Sequence, residues 1–156
     1  MNSQDLLARY AANKGISNAA FDDIGHCYFE SLQGRVPVSM ETNEEGTRLH
    51  VCAYLGRLQD DESMYSVLGA LMGLNGIFNA LGRGTFAIEG DKADRIVLMQ
   101  LYDTGHISPE SFFEQMEVFL ADAHEWYQRL QEPNLGLPDE DDDLPPQLEQ
   151  SIFHRA

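Results

Sequence analysis

Met64-Tyr-Ser-Val-Leu-Gly-Ala-Leu-Met-Gly-Leu-Asn-Gly-Ile-Phe-Asn-Ala-Leu-Gly82 is a run of nineteen residues without a charge, in a chain crowded with acid. At helical spacing, Val67, Leu71, Leu74, Phe78 and Leu81 form one apolar stripe. Ser66, Gly69, Gly73, Gly76 and Ala80 form a stripe of small residues nearly opposite. Leu68, Met72, Asn75 and Asn79 fill one flank, and Ala70 and Ile77 the other. A surface helix of a globular domain has a polar face; one without it is covered all round. A sheet of the same chain can cover one side, and the simplest cover for the other is a second copy. Which stripe meets which surface stays open at this level.

Local signals support the helix. Asp60, Asp61 and Glu62 precede the run and suit the positive end of the helix dipole, and Arg83 suits the negative end. Gly82 and Gly84 are stop residues. Each interior glycine costs about 0.8–1 kcal/mol relative to alanine. Their shared stripe points to close approach of another backbone as the compensation. The length approaches the ~20 residues of a membrane span. Two asparagines, the glycines and the scarcity of flanking positive charge argue against one.

The 156 residues read as one domain, 1–131, with an acidic flexible tail, 132–156. The tail holds Pro138-Asp-Glu-Asp-Asp-Asp143 and Pro145-Pro146, a composition that buries little. The chain has 26 acids against 10 bases, a net charge of −16. Such a surface repels nucleic acid and anionic membranes and suits a basic or amphipathic protein partner. Met1-Asn-Ser-Gln-Asp5 carries no export signal. Cys27 and Cys52 therefore read as reduced core thiols of a cytoplasmic protein.

Outward from the central run, Ser3 is the expected cap of a first helix over 4–14, ended by Gly15. Strands are expected at His26–Leu32, Val36–Thr42 and around Leu49–Leu55, with Asn43-Glu-Glu-Gly46 as a hairpin turn. In the third, Leu49, Val51, Ala53 and Leu55 alternate with His50, Cys52 and Tyr54. Beyond the central helix come strands at Thr85–Glu89 and Arg95–Tyr102. The latter is apolar on both faces and so central or shared with a partner. Ser108 caps a last helix with Pro109 in its first turn. Phe112, Met116, Phe119, Ala123, Trp126 and Leu130 form its buried stripe. The pattern is α+β, α-β-β-β-α-β-β-α, with a twisted antiparallel sheet.

Residues that suggest catalysis or metal binding do not assemble. His50 and Cys52 share a strand face, but His26 and Cys27 point to opposite faces, so the four do not converge on zinc. A Cys27–histidine nucleophile pair lacks a third, orienting group. Gly82-Arg-Gly84 lacks the length and lysine of a P-loop. Asp139 to Asp143 lacks the spacing of a calcium loop. No catalytic residue, metal or cofactor is expected, and the chain does not read as an enzyme.

Several segments are similar in style to the class I (Tir-chaperone, CesT-like) chaperones of bacterial type III secretion. Asp23-Ile-Gly-His-Cys-Tyr28 resembles that family's turn into the first strand. Leu49-His-Val-Cys-Ala-Tyr-Leu-Gly56 resembles its third strand, and Leu71-Met-Gly-Leu-Asn75 a region of its central helix. Phe112-Phe-x-x-Met116 through Ala123-x-x-Trp126 resembles its last helix. The likeness covers about residues 3–131 and rests on the order of these segments. The acidic tail is similar to that of broad-specificity, export-control chaperones of plant-pathogenic bacteria. The resemblance implies a homodimer that binds N-terminal segments of secreted effectors in extended form before export. It also implies a dimer seam on the central helix and a neighbouring strand, and in some members contact with the secretion ATPase. The seam is expected at Leu68, Gly69, Met72, Gly73, Gly76 and Phe78, with Ile96 and Leu98. Leu6, Leu7, Tyr10, Phe29, Val38 and Met40 are expected to line an effector groove, although each also reads as ordinary core. Two other classes share the composition: an acidic inhibitor or immunity-type protein that binds a folded basic target, and a small-molecule-binding α+β domain.

Overall fold

The computed structural model describes residues 2–16, 19–31, 36–58, 64–90 and 94–131. In chain order the elements are α1 (Ser3–Lys14), β1 (His26–Glu30), β2 (Pro37–Thr42), β3 (Arg48–Arg57), α2 (Met64–Leu81), β4 (Thr85–Glu89), β5 (Arg95–Asp103) and α3 (Pro109–Gln131). The fold is α+β in the expected order. All strand pairs are antiparallel, in the spatial order β1-β2-β3-β5-β4. The expected tail at 132–156 and the acids Asp60, Asp61 and Glu62 lie outside the described residues.

The cap of α1 differs from expectation. Asn2, not Ser3, accepts the Asp5 N–H at 2.9 Å. Ser3 is already in the helix and buried, and its hydroxyl donates to the Gly46 carbonyl at 2.9 Å. That carbonyl also accepts from Thr104 Oγ1 at 2.8 Å and from the Ser3 N–H at 2.9 Å. The β2–β3 turn thus ties the start of α1 to the end of β5. Asn43 shapes the turn by accepting the N–H groups of Thr47 and Arg48.

Register sorts the side chains into two faces, because opposite residues of an antiparallel pair share a face. Phe29, Val38, Ala53, Leu98 and Phe86 lie in one cross-strand row, and Cys27, Met40 and Val51 in another. These point towards α1 and α3. The core joins them to Leu6, Leu7 and Tyr10 of α1 and to Phe112, Met116, Phe119, Ala123 and Trp126 of α3. Tyr10 and Tyr102 meet Phe112 edge-on, at ring-centroid distances of 5.8 and 4.9 Å. The α3 stripe is buried as its spacing predicts, apart from half-buried Leu130. β5 is central, as an apolar strand requires.

No helix among the described residues is long and apolar enough to cross a membrane. α2 instead lies along the β4 edge of the sheet. Val67, Leu71 and Phe78 are buried, and Leu74 packs against the core. Phe78 stacks on Phe86 at 4.9 Å, and Phe86 meets Trp126 at 5.3 Å. The apolar stripe therefore faces the chain's own core.

The C-terminal end of α2 is fastened by an ion pair. Arg83 Nε donates to Asp122 Oδ2 at 2.8 Å, and its second nitrogen donates to Oδ1. Asp122 is buried in α3, and burial pushes its carboxyl above the ordinary value against the pull of Arg83. Removing one member of a buried pair strands the other. Arg83→Ala is expected to cost about 2–3 kcal/mol, less than a fully buried pair because Arg83 is partly exposed. The loss is largest at neutral pH. A raised folded-state pKa means stability is fullest where Asp122 is protonated and is lost as pH rises through that pKa. Without Arg83 the pKa rises further, so the deficit shrinks as pH falls to the carboxylate range. Urea titrations at several pH values check this, and a deficit independent of pH overturns it.

Candidate functional site

The two sheet edges differ. Alternate residues of an antiparallel strand turn their backbone groups towards the partner. Thr42 N–H donates to Gly25 O, and Ser31 N–H to Val36 O, which sets the phase of β1. His26, Tyr28 and Glu30 thus point theirs outward. Asp22 occupies His26: its N–H donates to the His26 carbonyl and its Oδ1 accepts the His26 N–H, both at 2.8 Å. Among the described residues nothing pairs with the outward groups of Tyr28 and Glu30. On the far edge, the Phe86 N–H donates to Asn75 Oδ1 at 2.6 Å, and Asn75 Nδ2 donates to the Phe86 carbonyl at 2.9 Å. One amide side chain occupies Phe86 on the β4 edge, and among the described residues the β1 edge is open at Tyr28–Glu30.

A cavity flanks that open edge on each face of the sheet. The larger, about 520 Å³, lies on the face away from α1 and α3. Its lining holds the pairs Glu30–Pro37 and Tyr54–Val97 and the row Tyr28–Ser39–Cys52. Small Ser39 and Cys52 make a hollow, and Tyr28 stands at its rim 69% exposed. Arg57 and Arg95 lie at its far end, paired with Asp94 and Glu89. The Cys52 thiol is pushed up to about 12 by burial and then by the carboxylates of Glu89 and Glu41, so it is not a nucleophile at neutral pH. The smaller cavity, about 70 Å³, lies on the helix side and is bordered by Tyr10, Ile16, Phe29, Ser31 and Leu120, with Lys14 and Glu117.

The outward side of α2 is the second surface. Ser66, Gly69, Gly73, Gly76 and Ala80 are exposed, Met72 is 75% exposed and Tyr65 76%. A Cβ built at Gly69, Gly73 or Gly76 meets nothing within 4 Å. Among the described residues of one protomer the three glycines therefore serve no close packing.

The expected site residues divide accordingly. Leu6, Leu7, Tyr10, Val38 and Met40 lie inside the protomer core, and Phe29 is half-buried. Tyr10, Phe29 and Val38 border the cavities; Leu6, Leu7 and Met40 border neither. The open face is instead made by the alternate set, Tyr28, Ser39, Cys52 and Tyr54. Alternation signals two faces, and the more apolar one turned to the helices. Of the expected seam, Gly69, Met72, Gly73 and Gly76 are exposed and Leu68 half-buried on α2. Phe78, Ile96 and Leu98 are spent in the protomer's own core, which leaves them little surface for a partner. Cys27 faces the core, whereas His26, His50 and Cys52 face the open side. No group of three or more His, Cys, Asp or Glu among the described residues is placed to hold a metal.

The model of the Tir chaperone protein (CesT) family matches residues 5–127, from within α1 to near the end of α3. The chain belongs to that family. Similar solved structures, type III secretion chaperones among them, share its fold. The ExsC–ExsE complex aligns with a TM-score of 0.64 at 17% identity, over 82% of this chain and 96% of the other. The Yersinia pestis type III secretion chaperone SycH, solved with a stable fragment of YscM2, gives 0.55 at 18%, over 78% and 96%. The heterodimeric ExoU–SpcU complex from the type III secretion system of Pseudomonas aeruginosa gives 0.56 at 18%, over 78% and 92%. No curated protein matches the chain.

Proposed function

We propose that this family member is a cytoplasmic homodimer that holds the N-terminal segment of a secreted effector in extended form and delivers it to the export apparatus, whose ATPase is a candidate docking partner. The observation that carries this reading is the β1 edge, open at Tyr28–Glu30 among the described residues, with an apolar cavity on either face. An extended client adds as a strand there: backbone hydrogen bonds supply sequence-tolerant affinity, and the cavities take its side chains. Exposed Glu30 and Glu41 on the open face favour clients with basic residues near the anchors and speed encounter. The similar structures include a chaperone–effector complex, HopA1–SchA, which supports the same kind of partner here.

Hydrogen exchange on a mixture of the purified protein with N-terminal effector segments tests it. Slowed exchange over a long, otherwise unfolded client stretch, together with newly protected Tyr28 and Glu30 amides, is the expected result. Protection limited to a compact surface of a folded target would instead indicate an inhibitor.

The dimer in this reading is sealed by the outward face of α2, where three glycines let two helices approach closely. Met72→Asp places a charge on that face without touching the core. It should leave the far-ultraviolet circular dichroism unchanged and convert the dimer to monomer at micromolar concentration, as sedimentation velocity reports. A Met72→Asp protein that still sediments as a dimer would move the seam elsewhere.

A further inference from the structure

An ion pair lies at the rim of the smaller cavity. Lys14, in the last turn of α1, and Glu117, in the middle of α3, meet at 2.8 Å between Nζ and Oε1, and both border it. The walls are Tyr10, Phe29, Ile16 and Leu120, with Ser31 at one end. The Glu117 carboxylate is near enough to Tyr10 to help burial raise its phenol above the ordinary value. The ion pair therefore ties two helices together across an apolar slot of about 70 Å³, against about 520 Å³ on the opposite face.

We infer that Lys14 and Glu117 are specificity-determining residues that limit the size of the client side chain entering from the β1 edge. This rests on the strand-addition reading above. A strand paired with β1 places the residue opposite Phe29 on the helix-side face, because opposite residues of a ladder share a face. That side chain projects beside Phe29, where the slot lies. Its immediate neighbours in the client point to the other face, where the hollow beside Tyr28 is much larger. The two faces thus impose different rules on successive client residues. A short aliphatic side chain, alanine or valine, fits the slot, and bulky apolar residues are accepted next to it. A leucine, phenylalanine or tryptophan in the slot must break the ion pair and part α1 from α3. Other positions of the client are free to vary, so one chaperone can serve different clients that share this small–large alternation.

The test uses synthetic strand peptides with a threonine-rich frame and one guest position carrying Ala, Val, Leu, Phe or Trp. The guest that occupies the slot is identified by nuclear Overhauser contacts to the Leu120 methyls. Competition binding is measured on the full chain and on a Lys14→Ala/Glu117→Ala variant. The double change leaves net charge unaltered and removes a pair that is partly exposed, so the fold is retained. Wild-type protein should bind the Val guest at least tenfold more tightly than the Trp guest. The variant should narrow that ratio to about twofold, mainly by tighter binding of the large guests. Equal preference in both proteins, or a wild-type preference for large guests in the slot, overturns the gate. A purely structural role for the pair would lower the melting temperature and leave the ratio unchanged. Peptides with N-methylated backbones separate the two levels. If they bind as well as the parents, strand addition fails and the gate with it. If they bind poorly and the size ratio is absent, only the gate fails.

Discussion

Phe78→Asp leaves the chain without a cooperative unfolding transition. Phe78 is buried on the core side of α2, stacks on Phe86 and lies under the Arg83 guanidinium at 5.2 Å. Truncating a buried aromatic costs about 3–5 kcal/mol by itself. The aspartate also places a carboxylate in that space, and an unpaired buried charge costs several kcal/mol more. Arg83 cannot relieve it without abandoning Asp122, which is itself buried. The sum reaches the ~5–15 kcal/mol that a domain of this kind has in total. Circular dichroism during a urea titration shows the outcome as a drift without a midpoint. The contrast with Met72→Asp is the informative part. The two positions lie in one helix, yet one change abolishes the fold and the other only the assembly. A Phe78→Asp protein with a normal midpoint would mean that α2 faces its core with another stripe.

Those two residues also show how far the sequence was readable. The uncharged run announced a helix covered on all sides, and Gly82 closes it with the left-handed backbone expected of a stop residue, at φ +67°. It could not say which stripe turned inward, because hydrophobic spacing marks both an internal core and an interface between copies. The last helix was easier: its charged face is polar enough to leave one solution, and Phe112, Met116, Phe119, Ala123 and Trp126 follow it. The strands were read in the right order, and β4 to the residue. Their alternation is symmetric between the two faces of a sheet, however. Val38 and Met40 were expected to line a groove together with Leu6 and Leu7 of the first helix, and all four are buried, whereas Tyr28, Ser39, Cys52 and Tyr54 make the open face. The small pair Ser39 and Cys52 between two tyrosines was the available signal for a hollow. Its meaning depended on the register that sets Tyr28 opposite Ser39 and Ser39 opposite Cys52. Ser3 misled for a related reason: Asn2 and Ser3 are both good caps, and only the half-buried Gly46 carbonyl decides which one is drawn inside.

Asn75→Leu should lower stability by about 2–4 kcal/mol, although the two side chains are similar in size and leucine is the better helix former. Asn75 read in the sequence as a polar residue on the flank of an apolar helix. In the fold it stands in for the next strand, offering an acceptor to the Phe86 N–H and a donor to the Phe86 carbonyl. Leucine supplies neither, and each partly buried backbone group left without a partner costs roughly 1–3 kcal/mol. For a domain of this length each kcal/mol shifts the melting temperature by about 2–4 °C, so a fall of roughly 5–15 °C is expected. Asn75→Asp retains the acceptor but sets a carboxylate against the Phe86 carbonyl, so it should be no better than leucine at neutral pH. It should recover as pH falls and the carboxyl becomes a donor. Hydrogen exchange gives the local readout: the Phe86 amide, slow in the parent, should exchange faster in both variants at neutral pH, while amides in β2 and β3 keep their relative order. An Asn75→Leu protein that melts with the parent, or a Phe86 amide that stays slow, would show that the helix rather than its amide closes this edge. The β4 side would then differ from the β1 side in cover alone, since no hydrogen-bond partner would be needed to keep an incoming strand away.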